Sequence, residues 1–184
     1  KRYRAISLHD IERLLDSPIH EVRLAAVIIM TEEALRADDG GQRALFDLYL
    51  RRTDRINNWD IVDVSCRGVV GGYLLHHPEA RGILRKLARS SNLWERRIAI
   101  VSTWQFMRAG QLDETFAIAE ILLHDKHDLI HKAVGWMLRE AGKRDKARLK
   151  TFLRAHAATM PHTTLRYAIE RFTPREKARF MRRH

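Results

Sequence analysis

The sequence predicts an all-α protein built from short helices in antiparallel pairs. Apolar residues recur at three-to-four spacing along almost the whole chain, which marks one face of a helix, while alternating strand-type runs bounded by turn residues are missing. Helix-start signals are frequent. Ser7 with Asp10 makes a capping-box pattern, Ser17-Pro18 an N-cap with proline in the first helical position, and Thr173-Pro174 with Glu176 combines both. These signals place helices at 8–16, 18–37 and 41–53, then at 58–76, which Asn57 or Asn58 can cap and which ends at His76-His77 before Pro78. Further helices follow at 78–90, 92–108, 111–124, 127–142, 144–158, 161–172 and 174–182. Connections of a few residues make sequential helices antiparallel neighbours.

The chain has 184 residues, enough for one or at most two domains that bury roughly 70% of the unfolded chain's surface. A single domain over 1–184 is expected. Cys66 is the only cysteine, which excludes an intramolecular disulfide and a multi-cysteine metal cluster and suits a reducing compartment. The longest apolar runs, such as 24–30, are far too short for a membrane span, and no signal-peptide pattern is visible. The cytoplasm is therefore the expected location, at the nucleoid in a prokaryote. Lys and Arg number 34 against 23 Asp and Glu, and the net charge of +11 favours a polyanionic partner such as nucleic acid.

A repeat underlies the helices. Arg23, Arg97, Lys132 and Arg166 each precede a small-and-apolar stretch, at spacings of 74, 35 and 34 residues, the first close to two periods of 37. Two-helix units of this length fit a HEAT-like helical-repeat solenoid, whose second helices line a concave surface. The basic residues then form a ladder along a basic groove; for any one of them, a solvated surface arginine is the plain alternative.

Three stretches set a tryptophan one helical turn from a charged residue. Side chains three or four apart share a helix face, so Trp59 sits beside Asp63, Trp94 beside Arg97, and Trp136 between Lys132 and Arg139. On the helix after Asn58, Trp59, Asp63 and Arg67 share one side. Ser65, Gly68 and Gly72 lie nearly opposite, where a cost of up to ~1 kcal/mol per glycine implies close approach of a neighbour. Asp60 lies in the first turn, where the helix dipole favours a carboxylate. Asp63 lies beyond it, and its plain reading is an ion pair with Arg67 or with Arg97.

With these residues in view, the chain resembles the AlkD-type DNA alkylation repair glycosylases, a HEAT-like family. The resemblance runs over nearly the whole chain and is carried by residues 55–63, 92–100 and 132–140. The family's W-D-x-V-D pattern falls on Trp59 and Asp63, its W-x-x-R pattern on Arg97, and its A-[IV]-G-W pattern on Trp136. Cys66 and Arg67 depart from the small residue and proline of relatives, and Arg67 would then add a phosphate contact. The chain opens at Lys1 in what looks like the first repeat, so the N-terminal segment of relatives, which contributes to their site, is expected to be absent or to lie upstream.

The resemblance implies excision of positively charged N3- and N7-alkylated purines from double-stranded DNA, in base excision repair, without flipping the base into a pocket. Asp63 would stabilise the oxocarbenium character of the sugar and position a water. Trp59 and Trp136 would offer π faces to sugar and lesion, and Arg97 would hold the flanking phosphate. The DNA-binding set is Arg23, Arg67, Arg96, Lys132, Arg139 and Arg166. The expected protein is a monomer with no cofactor, no metal and no membrane partner.

Other patterns are weaker. His124, His127 and His131 have metal-like spacing, but a helix break between the first two separates their faces. Gly40-Gly41 and Gly71-Gly72 lack the strand–turn–helix context of a phosphate loop, and Cys66 reads as a small packing residue. The alternative function is a noncatalytic HEAT-like module that binds DNA or protein. What separates the two is the complete set Trp59, Asp63, Arg97 and Trp136, because a pure binder gains little from a carboxylate facing DNA.

Overall fold

Polar caps and apolar faces together set the boundaries of the helices. The structure, a computed structural model, describes residues 6–182, which fold as an all-helical repeat with no strand among them. Two compact units divide the chain, Lys1–Arg81 and Gly82–His184. No helix among the described residues is long and apolar enough to cross a membrane.

The first unit holds α1 (Leu8–Leu15), α2 (His20–Ala34), α3 (Asp39–Arg51), α4 (Trp59–Cys66) and α5 (Gly72–His76). A π-helical turn, Arg67–Gly71, joins α4 to α5, and a 3₁₀ turn, Pro78–Arg81, follows. Ile11, Leu15, Met30, Tyr49, Ile56, Ile61 and Leu74 are fully buried in its core. Each such side chain contributes about 1.5–3 kcal/mol by leaving water. Ser7 caps α1 by accepting from the Asp10 N–H at 3.1 Å, but its hydroxyl donates to the Asp10 carboxylate at 2.7 Å.

The predicted start of α2 at residue 18 is corrected. Ser17 accepts from the Ile19 N–H at 3.1 Å, making a turn, and the helix opens two residues later with Ile19 as a cap that has no side-chain bond. Tertiary hydrogen bonds hold this turn. The Arg23 guanidinium donates to the Ser17 and Pro18 carbonyls at 3.0 Å each, and Arg55 donates to the carbonyls of Leu15 at 3.0 Å, Asp16 and Ser17.

The predicted helix 58–76 is also not uniform. Its π turn coincides with the closest approach of α2, where a Cβ on Gly68 would meet Thr31 Cγ2 at 2.7 Å. Gly68 thus has the packing role expected of it, and Gly72, with nothing within 4 Å, does not. Ser65 donates to the Ile61 carbonyl at 2.6 Å and so accepts from the Tyr49 hydroxyl at 2.9 Å, since it has one proton to give. Burial pushes the Tyr49 hydroxyl well above its ordinary range.

The second unit holds α6 (Gly82–Ala88), α7 (Leu93–Ser102), α8 (Trp104–Arg108), α9 (Asp113–Ile121), α10 (Asp128–Arg144), α11 (Lys146–His156), α12 (His162–Ala168) and α13 (Pro174–Met181). The predicted helix 92–108 breaks at Thr103, whose N–H and hydroxyl both turn back to the Ile100 carbonyl, at 3.2 and 2.7 Å. Thr173 and Glu176 form the full reciprocal capping box, with Pro174 opening α13.

The repeat shows in which helices touch. In the first unit α2 packs on α4; in the second, α10 packs on both α7 and α12, making a row within that unit. Gly135 permits the closest of these contacts. A Cβ there would lie 2.5 Å from Tyr167 Cβ and 2.7 Å from the Thr164 carbonyl oxygen.

Candidate active site

Each helix of the rows starts from a cap, and counting from the cap gives every side chain a register. Asn58 caps α4 by accepting from the Trp59 N–H at 2.7 Å, which puts Trp59 in the first position and Asp63 in the fifth. Asn92 caps α7, His127 caps α10 and Pro161 precedes α12, so Arg97, Lys132 and Arg166 also stand fifth. Asp63 is the carboxylate in a position that α7, α10 and α12 fill with cations. Helix α2 has Leu24 there, and Arg23 stands fourth.

The predicted phase of the ladder is corrected accordingly. Arg23 is equivalent to Arg96 and His131, not to Arg97, Lys132 and Arg166. The three fourth-position side chains share one task. Arg23 binds the carbonyls of Ser17 and Pro18, Arg96 binds those of Ser90 and Ser91 at 2.9 Å each, and His131 Nε2 binds that of Asp125. Each staples the loop that leads into its own helix. Arg96 also pairs with Asp125 at 2.6 Å, and Arg23 reaches Asn57 Oδ1 at 3.3 Å. These two guanidinium groups are thus engaged within the protein.

The fifth-position residues differ in setting. Arg97 is only 5% exposed, and its Nη1 donates to the Leu129 carbonyl at 2.7 Å, tying α7 to the first turn of α10. Lys132 is half-exposed and holds Asp128 at 2.6 Å, a contact that keeps the Asp128 carboxyl below its usual range. Arg166 is exposed. Arg139 pairs with Glu170 and lies 3.4 Å from Glu140.

Trp59 is 54% exposed, behind only Leu35 and Ile19 among the large apolar residues described. Such exposure of a tryptophan suits a ligand-facing role. Asp63 is half-buried, and Arg67 bonds its backbone, with Nε donating to the Asp63 carbonyl at 2.9 Å. Asp60 has the plain role expected of a first-turn carboxylate: it accepts from the Ile61 N–H at 2.7 Å and meets His20 Nε2 at 2.8 Å. In the second unit Trp136 is half-buried and its ring lies 5.9 Å from that of Trp104. Sequence reasoning passed over Trp104, Arg55 and the π turn; π turns inside α-helices occur frequently at functional sites.

Two of the three histidines, His127 and His131, bond the backbone. His127 Nδ1 accepts from the Leu129 N–H at 3.2 Å, and among the described residues no group of three or more His, Cys, Asp or Glu is disposed to hold a metal ion. Cys66 is buried and not part of a disulfide.

The family model of the DNA alkylation repair enzymes matches residues 1–172. The chain belongs to that family. The matched span includes Trp59, Asp63, Arg97 and Trp136 and every cation of the DNA-binding set. Among solved structures, one described as a predicted DNA alkylation repair enzyme from Enterococcus faecalis is similar in fold, with a TM-score of 0.73 at 18% identity. The similarity covers 90% of this chain and 75% of that one. No curated protein matches the chain.

Proposed function

We propose that this member of the DNA alkylation repair family is a monofunctional DNA glycosylase that releases cationic N3- and N7-alkylated purines from duplex DNA. The observation that carries the reading is Asp63: a half-buried carboxylate in the register position that α7, α10 and α12 give to Arg97, Lys132 and Arg166, one turn from the exposed Trp59. A fold that only bound phosphates would be weakened by that charge.

The reaction is hydrolysis. The bond between C1′ and the base nitrogen breaks, its electron pair neutralises the cationic purine, and a water oxygen bonds to C1′ while its proton passes by way of Asp63 to solvent. Asp63 stabilises the positive charge that builds on the sugar. Trp59 and Trp136 offer π faces to sugar and lesion, worth ~0.5–2 kcal/mol each depending on desolvation. Arg97, nearly excluded from water, acts on the flanking phosphate through a field that salt screens weakly. Arg67, Lys132, Arg139 and Arg166 hold further phosphates, while Arg23 and Arg96 shape the loops beside them. This set contains a carboxylate and π faces but no acid for a neutral leaving base, so the base need not enter a pocket, and the chemistry calls for no cofactor.

Selection by charge tests the reading. Duplexes carrying 7-methylguanine or 3-methyladenine should lose the modified base, and duplexes carrying uracil or hypoxanthine should not, as measured by chromatography of released bases. Uracil release comparable with that of 7-methylguanine would overturn selection by charge. Tight DNA binding with no release of any base would favour the noncatalytic module.

A further inference from the structure

A cavity of about 430 Å³ opens in the second unit where the end of α6 and the loop between α9 and α10 meet the start of α7. Its wall residues include Arg89, Arg96, His124, Asp125, Lys126 and His127. The acceptors of this wall are consumed internally. The Asp125 side chain is 7% exposed, pairs with Arg96 Nε at 2.6 Å, and accepts from the His127 N–H at 2.8 Å. The Ser90 and Ser91 carbonyls are taken by Arg96, and the Asp125 carbonyl by His131.

Donors face the opening instead. Arg89, His124, Lys126 and His127 are exposed. Arg89, exposed and lining the cavity, spends one nitrogen on the Arg85 carbonyl at 3.1 Å and keeps its other N–H groups to donate. His127 Nδ1 accepts from Leu129, which puts the ring proton on Nε2. A cavity whose carboxylate is neutralised inside and whose rim carries two cations and imidazole donors recognises an anion.

We infer that this cavity seats a backbone phosphate of duplex DNA, through Arg89, Lys126 and the His127 Nε2–H. The inference rests on the proposed function in taking DNA as the anion, and the Arg96 clamp that builds the cavity floor directly precedes Arg97. The cavity therefore also sets where α7 begins relative to the bound backbone.

The test is binding of lesion-free duplex by fluorescence anisotropy over a range of salt, for the wild type, the Arg89→Ala/Lys126→Ala variant and His127→Asn, which keeps a capping acceptor. The Arg89→Ala/Lys126→Ala variant should flatten log K against log[salt] by ~0.9, the value for one phosphate contact. His127→Asn should weaken binding at every salt concentration with little change in slope. A control, Arg175→Ala/Arg179→Ala, removes the same charge from the exposed face of α13 and should leave the slope as in the wild type. An unchanged slope in the cavity variant, or equal flattening in the control, overturns the inference. So does calorimetry in which inorganic phosphate binds the wild type but not the cavity variant while the duplex slopes agree, because the site would then serve free phosphate. Base release separates the two readings. A flattened slope in a protein that releases no base keeps the cavity and removes the glycosylase; release with unchanged slopes does the reverse.

Discussion

Helices α4 and α10 begin alike and then diverge. Each starts from a polar cap, carries a charged residue in the fifth position and a tryptophan, and has a glycine, within it or in the turn that follows, set against a neighbouring helix. In α10 the fifth residue is Lys132, the helix runs unbroken over 17 residues, and Gly135 lies against the Thr164 backbone and the stem of Tyr167. In α4 the fifth residue is Asp63, and the helix passes into a π turn where Gly68 meets a methyl group of Thr31. The repeat reproduces the scaffold, so the charge that differs between equivalent positions is the property to attribute to function.

The largest effect is expected at the residue that sets α4 apart. Asp63→Asn keeps the side-chain shape and should slow single-turnover base release by about 10²–10³-fold, as loss of one preorganised electrostatic group does, while duplex affinity stays equal or rises. Release near the wild-type rate would remove Asp63 from the chemistry and leave α4 as ordinary as α10.

Next come two glycines, one packed against a neighbour and one beside open space. Gly135→Ala puts a methyl group against backbone that cannot swing aside, and it should destabilise by about 1–3 kcal/mol, read as a fall in Tm of roughly 2–4 °C per kcal/mol. Gly72 lies just after the π turn, with ordinary helical angles (φ −61°, ψ −51°) and open space, so Gly72→Ala should stabilise by up to ~1 kcal/mol. A destabilised Gly72→Ala would mean that the π turn needs a glycine on its far side as well.

The smallest effects concern the cations of the row. Lys132→Ala and Arg166→Ala should each lower the salt slope of duplex binding by ~0.9. Asp128→Asn, which releases Lys132 from its 2.6 Å partner, should tighten binding slightly. Unchanged slopes for both cation variants would place the fifth positions away from the backbone of bound DNA.

Several features of this comparison were legible in the residues. Asn58 before Trp59, and Thr173-Pro174 with Glu176, announced their helices because a cap bonds to groups one to three residues away. The reading of Asp60 as a first-turn carboxylate followed from the same locality. Ser17-Pro18 misled because two arginines, one of them forty residues away from Leu15, hold the carbonyls of that turn and delay α2 to His20. Counted from His20, Arg23 stands fourth, out of phase with Arg97, Lys132 and Arg166 in the fifth. A spacing of 74 residues could not reveal it, since a shift of one residue changes the face of a helix but hardly alters a long period.

By itself the sequence determined the all-helical repeat, the motifs around Trp59, Arg97 and Trp136, and the family to which they belong, because helical periodicity, caps and short motifs are local patterns. Only the tertiary structure decided which cations staple loops and which share the fifth helical position, where α4 yields to a π turn, and how deeply Arg97 is buried. Those properties depend on which carbonyls lack a partner and on which side chains press against a glycine once the helices have packed, and no residue carries that information alone.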